Sequence, residues 1–211
     1  MLRLSLRTML AVLAAVLPGL AHAADVTGEL TGDTVWYASA SPYRMIGDVT
    51  IPPGITLTIE PGVTVTTTST DNQLSYDTAR VELIVRGSLK VGVTAAGTDD
   101  PSQPVIFRGT GAIGSWGGIL FEAGSSGHVF KNADVAYATY GIKTEATAGL
   151  TLEDVVVHHC HRHGIWVASA SASLILRGST PTTPGPAKAA VHNCGSYANA
   201  YRGIYNQGAF T

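Results

Sequence analysis

The chain has 211 residues, 45% of them hydrophobic and only 13% charged, with 24 glycines and 10 prolines. So few charges among so many turn-forming residues suit short strands joined at corners and exclude a chain built mainly of long solvated helices. The formal net charge is −2 with His neutral, so no excess of Lys and Arg is available to neutralise a phosphate backbone, and nucleic acid is not an expected partner.

At the start, Arg3 and Arg7 precede an apolar run from Met9 to Leu17, Pro18-Gly19 breaks it, and Ala21-His22-Ala23 supplies small-x-small cleavage chemistry. A membrane-spanning helix needs about twenty apolar residues, and this run is far shorter. The segment therefore reads as a cleaved export signal over 1–23, leaving a chain from Ala24 with no transmembrane segment. Secretion or display at the cell surface is expected, with the periplasm as the alternative. Without Arg3 and Arg7, 11 basic residues stand against 15 acidic ones, a net charge of −4.

Residues 24–45, with Trp36 and Tyr37, read as a lead-in that caps the open end of a stack. From position 46 to 211 strict alternation takes over: Val49 and Ile51, then Ile55, Leu57 and Ile59, then Val63 and Val65. Period two with β-branched residues is a strand signal, and Pro52-Pro53-Gly54 and Pro61-Gly62 mark corners. A polar excursion from Thr68 to Ala79 reads as a loop. Alternation resumes at Val81, Leu83, Val85 and Leu89, Val91, Val93, and Gly97 to Gln103 forms a second excursion.

Three later stretches can be laid over one another: Val129 to Lys143, Thr151 to Trp166, and Ala190 to Tyr205, each with an Asn or Asp near its start and Gly-Ile near its end. Asn132 and Asp154 are 22 residues apart and Gly141 and Gly164 are 23 apart, a period that stacks repeats into a solenoid. The third unit comes late, and the excess is assigned to a loop over Gly178 to Lys188. No helical periodicity separates the strands, which leaves an all-β parallel solenoid of about seven coils, roughly 30 to 35 Å long at ~4.8 Å per coil. The alignment predicts inward columns Phe130, Leu152, Val191; Val135, Val157, Ser196; and Ile142, Ile165, Ile204.

The stretches GDVTIPPGITLTIEPGVTV, ELIVRGSLKVGVTAAGTDDPSQPVIFRG and SWGGILF, with the repeated Gly-Ile coils, resemble exported bacterial right-handed parallel β-helix proteins of the pectin-lyase-like superfold. The resemblance runs from Asp48 to the end. It implies a right-handed parallel β-helix. It leaves the activity open, because that superfold holds polysaccharide lyases, hydrolases, epimerases and adhesins alike.

Several residue groups carry candidate chemistry. Lys143, Trp166 and Tyr205 each follow an inward Ile, so they form an outward column suited to sugar rings, or one that simply strengthens the ladder between coils. His159, His161 and His163 are of metal-ligand type, although a corner between them would leave only a solvated His-rich turn. Asn132, Asp154 and Asn193 read as a structural corner column. Glu153 and Asp154 are acid–base candidates, with Arg162 or Arg202 as basic partners, and the two carboxylates are also of the type that holds Ca²⁺; no other cofactor is expected. Cys160 and Cys194 could bridge in an oxidising compartment. The alignment, however, sets Cys194 level with Ala133 and Val155 and leaves Cys160 six residues past Asp154. Those positions differ around the coil, which places the thiols beyond bridging distance.

Two functions follow: an exported, non-enzymatic binding or adhesion protein for a polysaccharide or cell-envelope glycan, and alternatively a polysaccharide-active lyase, hydrolase or epimerase. The chain stops just after the Gly-Ile strand at Ile204, which is read as an edge awaiting either a partner or further sequence.

Overall fold

A computed structural model of the chain describes residues 23–68, 77–178, 190–194 and 203–210. The expected export signal, Ser196, Arg202 and most of the Gly178 to Lys188 excursion lie outside them. The first strands are β1 (Ala24–Glu29), β2 (Thr34–Trp36), β3 (Tyr43–Ile51), β4 (Thr56–Ile59), β5 (Thr64–Thr67) and β6 (Glu82–Val85). Next come β7 (Ser88–Val91), β8 (Val105–Phe107), β9 (Gly118–Phe121), β10 (Val129–Ala136), β11 (Ile142–Thr144) and β12 (Leu150–His158). The last are β13 (Ile165–Val167), β14 (Ser173–Arg177), β15 (Ala190–His192), β16 (Ile204–Asn206) and β17 (Ala209–Phe210). One 3-10 turn, Ala38–Ala40, is the only helical element among the described residues.

The strands form one sheet in which successive neighbours in the chain do not pair with each other; each pairs in parallel with a strand two or three further on. Three faces result. On the first, β3, β6, β9, β11, β13 and β16 are stacked in turn. On the second, β2, β4, β7, the start of β10, the start of β12, β14 and β17 follow. On the third, the start of β3, β5, β8, the end of β10, the end of β12 and β15 follow. This is an all-β parallel stack compatible with a β-solenoid. Residues 24–36 already pair into it through β1 and β2, and position 46 falls inside β3. At that end Trp36 stacks on Tyr43 with ring centroids 4.9 Å apart.

The alternation read from sequence marks the interior. Ile51, Leu57, Ile59, Val63, Val65, Leu83, Val85, Leu89 and Val91 are all buried. Ile119, Ile142, Ile165 and Ile204 share one register column. Phe107, Phe121, Phe130 and Trp116 fill the middle of the stack: Phe107 lies 6.4 Å from Trp116 and 6.2 Å from Phe130.

The third aligned unit needs correction. β15 pairs with the end of β12, with Val157 against Val191 and His158 against His192. Val191 therefore continues the Val135 and Val157 column, in the place expected for Ser196, and does not join Phe130 and Leu152. Asn193 continues His159, and Cys194 continues Cys160. The backbone agrees: Tyr137, His159 and Asn193 have φ of 63°, 52° and 52°, while Asn132 and Asp154 turn the other corner at 44° and 54°. Asn193 thus does not extend an Asn132–Asp154 column. The amide of Asn132 donates instead to the Asp100 carbonyl at 3.0 Å.

Candidate functional site: a cation–aromatic groove

Beside the first face, between the Asp77–Arg80 segment and the corner that leads into β11 and β13, lies a groove of about 420 Å³. Gly117 permits it. A Cβ there would fall 2.2 Å from Glu82 Cγ, so the glycine lets the Glu82 side chain lie flat across the neighbouring winding. Glu82 is buried and accepts from the Asp77 N–H at 3.1 Å, and its own N–H donates to Asp48 Oδ1 at 2.7 Å. Arg80 joins Asp77 at 2.9 Å and donates through Nε to the Gly114 carbonyl at 2.7 Å. That rim is therefore tied to two neighbouring segments.

The opposite wall comes from the column expected after the inward isoleucines. Lys143 pairs in register with Leu120 and Trp166, and Trp166 with Tyr205. Lys143 Nζ sits 4.8 Å from the Trp166 ring centroid and 3.0 Å from Glu145 Oε1. Tyr140 and Trp166 have centroids 5.1 Å apart, and Trp166 and Tyr205 6.3 Å. Gln207 fixes both outer rings: it accepts from Trp166 Nε1 at 3.2 Å and donates to the Tyr205 hydroxyl at 3.3 Å. Arg162 donates to the Tyr140 hydroxyl and lies 5.5 Å from that ring. The result is a surface of ring faces with fixed cations, which holds stacking area and charge-assisted donors in one place.

The other candidates separate. Glu153 lies on the second face, where its register neighbours are Lys131 and Arg177 and its carboxylate is 3.5 Å from Lys131 Nζ. Asp154 follows at the corner. Neither lines the groove that Arg162 lines, and Arg202 is outside the described residues. Nor are the three histidines brought together. His159 meets His158 Nδ1 to Nδ1 at 2.6 Å and stacks on Tyr137, while His158 reaches Asp134 at 2.8 Å. His161 lines the groove. His163 is buried, with Tyr205 stacked on it at 4.9 Å. Among the described residues no group of three or more His, Cys, Asp or Glu could hold a metal ion.

Sequence reasoning missed Asp77, Arg80 and Glu82. Asp77 fell within a polar excursion and Arg80 just past it. Glu82 is the one charged residue in an otherwise apolar strand, a signal that was present in Val-Glu-Leu-Ile-Val. No helix among the described residues is long and apolar enough to cross a membrane. No family model, curated protein or solved structure matches this chain.

Proposed function

We propose that this protein is an exported, right-handed parallel β-helix of the pectin-lyase-like kind that binds a polysaccharide or cell-envelope glycan in the cation–aromatic groove, without turning it over. One observation carries the reading: Lys143 and Trp166 line the groove together with Tyr140 and Arg162, and Tyr205 continues their register column onto the next winding. Sugar rings present C–H faces that stack on aromatic rings and hydroxyl or carboxylate edges that accept from Lys and Arg, and successive sugars in a chain meet successive windings.

The test is calorimetric titration of the mature chain with neutral and acidic oligosaccharides. Trp166→Ala and Tyr205→Ala are each expected to weaken binding about tenfold, equal to about 1.4 kcal/mol, with an unchanged far-ultraviolet spectrum. Wild-type affinity in both variants, or no binding across the panel, overturns the assignment. The enzymatic alternative rests on a different observation, the buried Glu82 carboxylate in the same groove. Turnover of a bound glycan that disappears in Glu82→Gln would favour it over simple binding.

A further inference from the structure

The corrected register places two thiols on neighbouring windings. His158 is level with His192, so Cys160 and Cys194 occupy the same corner position, each one residue after a left-handed backbone at His159 and Asn193. Ala138 holds the equivalent place one winding below, after Tyr137. Parallel strands sit about 4.8 Å apart, inside the 4.4–6.8 Å range of Cα separations that a disulfide spans.

The side chains are aimed alike. A Cβ on Gly141 would lie 3.0 Å from Cys160 Sγ, and a Cβ on Gly164 would lie 2.9 Å from Cys194 Sγ. Each sulfur thus packs over the glycine of the winding below, and each thiol donates to a carbonyl of β12, Cys160 to His158 at 3.5 Å and Cys194 to Val157 at 3.9 Å. No disulfide joins them in this structure.

We propose that Cys160 and Cys194 are a redox pair that closes into a disulfide stapling β12 to β15 when the folded protein meets a small-molecule or protein disulfide oxidant. Occurrence in the cell rests on the export reading above, since an oxidising compartment supplies such oxidants. The order of steps follows from access and ionisation. Cys160 is fully buried whereas Cys194 is half-buried. Interaction with the neighbouring thiol lowers the Cys194 thiol and, together with burial, raises that of Cys160. Cys194 therefore loses its proton first, and its thiolate attacks one sulfur of the oxidant, releasing the other as a thiolate. Cys160 then gives up its proton and attacks Cys194 Sγ, expelling the oxidant's second thiolate. Two protons leave the protein, two electrons pass to the oxidant, and one S–S bond replaces another.

The test uses the full mature chain, purified reduced and folded, then equilibrated with oxidised glutathione, denatured in acid, alkylated and weighed. Wild type is expected to fall from two alkylated thiols to none, with two recovered after reduction and no glutathione retained. Cys160→Ala, which copies Ala138 at the same corner, should instead hold one glutathione on Cys194, and Cys194→Ala should keep Cys160 reduced. Two free thiols, or one glutathione on each cysteine, in the folded wild type overturn the proposal. A chain recovered from the host with residues 1–23 still attached would count against export alone, and glycan titration is independent of both.

Discussion

His128 follows the turn after β9, with its ring edge-on to Phe121 at 4.7 Å and Nδ1 accepting from the Leu89 N–H at 3.3 Å. An acceptor nitrogen requires a neutral ring. Burial, the larger effect, pushes His128 down to about 4, against an opposing hydrogen bond with the Ser125 backbone. Its folded value is therefore below the unfolded value of 6.5, and between the two the unfolded chain binds the extra proton. This contribution to stability is complete above pH 6.5 and is lost as pH falls toward 4. Because the ring is partly exposed, its size is on the order of 1–2 kcal/mol after allowance for screening. Denaturant unfolding at pH 7 and pH 4.5 should show wild type losing about that much more than His128→Gln. An imidazole titrating near 6.5 in the folded protein would contradict the account.

At the scale of the element, the corners decide the register. β10 and β12 each run across two faces by placing a left-handed residue mid-strand, Asn132 in one and Asp154 in the other. Asn and Asp tolerate that conformation better than other non-glycine residues. This is why the sequence alignment succeeded for two units and failed for the third. An Asn marks a left-handed corner without saying which of the two corners in a winding it is, so Asn193 aligns with Asp154 by sequence while its partner in the stack is His159. The inward Ile column survived because Gly-Ile occurs only once per winding: Gly141 and Gly164 sit where a Cβ would strike Val157 or Val191. The outward column of Lys143, Trp166 and Tyr205 was legible for the same reason, by counting one residue beyond each Ile. The acidic rim was not, since it depends on how the segment before β6 folds back over Gly117. Asn132 also anchors the Gly97–Gln103 excursion through Asp100. Asn132→Ala should cost about 2 kcal/mol, combining left-handed strain with a lost buried hydrogen bond. Asn132→Gly, which keeps the conformation, should cost about 1 kcal/mol less. Equal losses in the two variants would remove the backbone part of the argument.

Across the whole molecule, each winding touches only the windings beside it, so stability is distributed along the stack as nearest-neighbour terms. The terms are unequal. The windings around Trp116, Phe107, Phe121 and Phe130 bury large aromatic side chains against one another. Those around β13, β15 and β16 rest on Ile165, Val191 and Ile204, of which the last two are only partly buried. A defect placed between them should therefore open one side more than the other. Gly164→Ala supplies such a defect, because its Cβ would lie 2.6 Å from Val191 Cγ1 and 2.8 Å from the Gly203 carbonyl. Overpacking of this kind costs about 1–3 kcal/mol. In native-state hydrogen exchange, amides of β15 and β16 should lose roughly tenfold to hundredfold protection in the variant, while those of β6, β7 and β9 keep theirs. Protection falling evenly across all of these strands would instead mean that the stack opens as a single cooperative unit, with the aromatic centre and the later windings sharing one unfolding free energy.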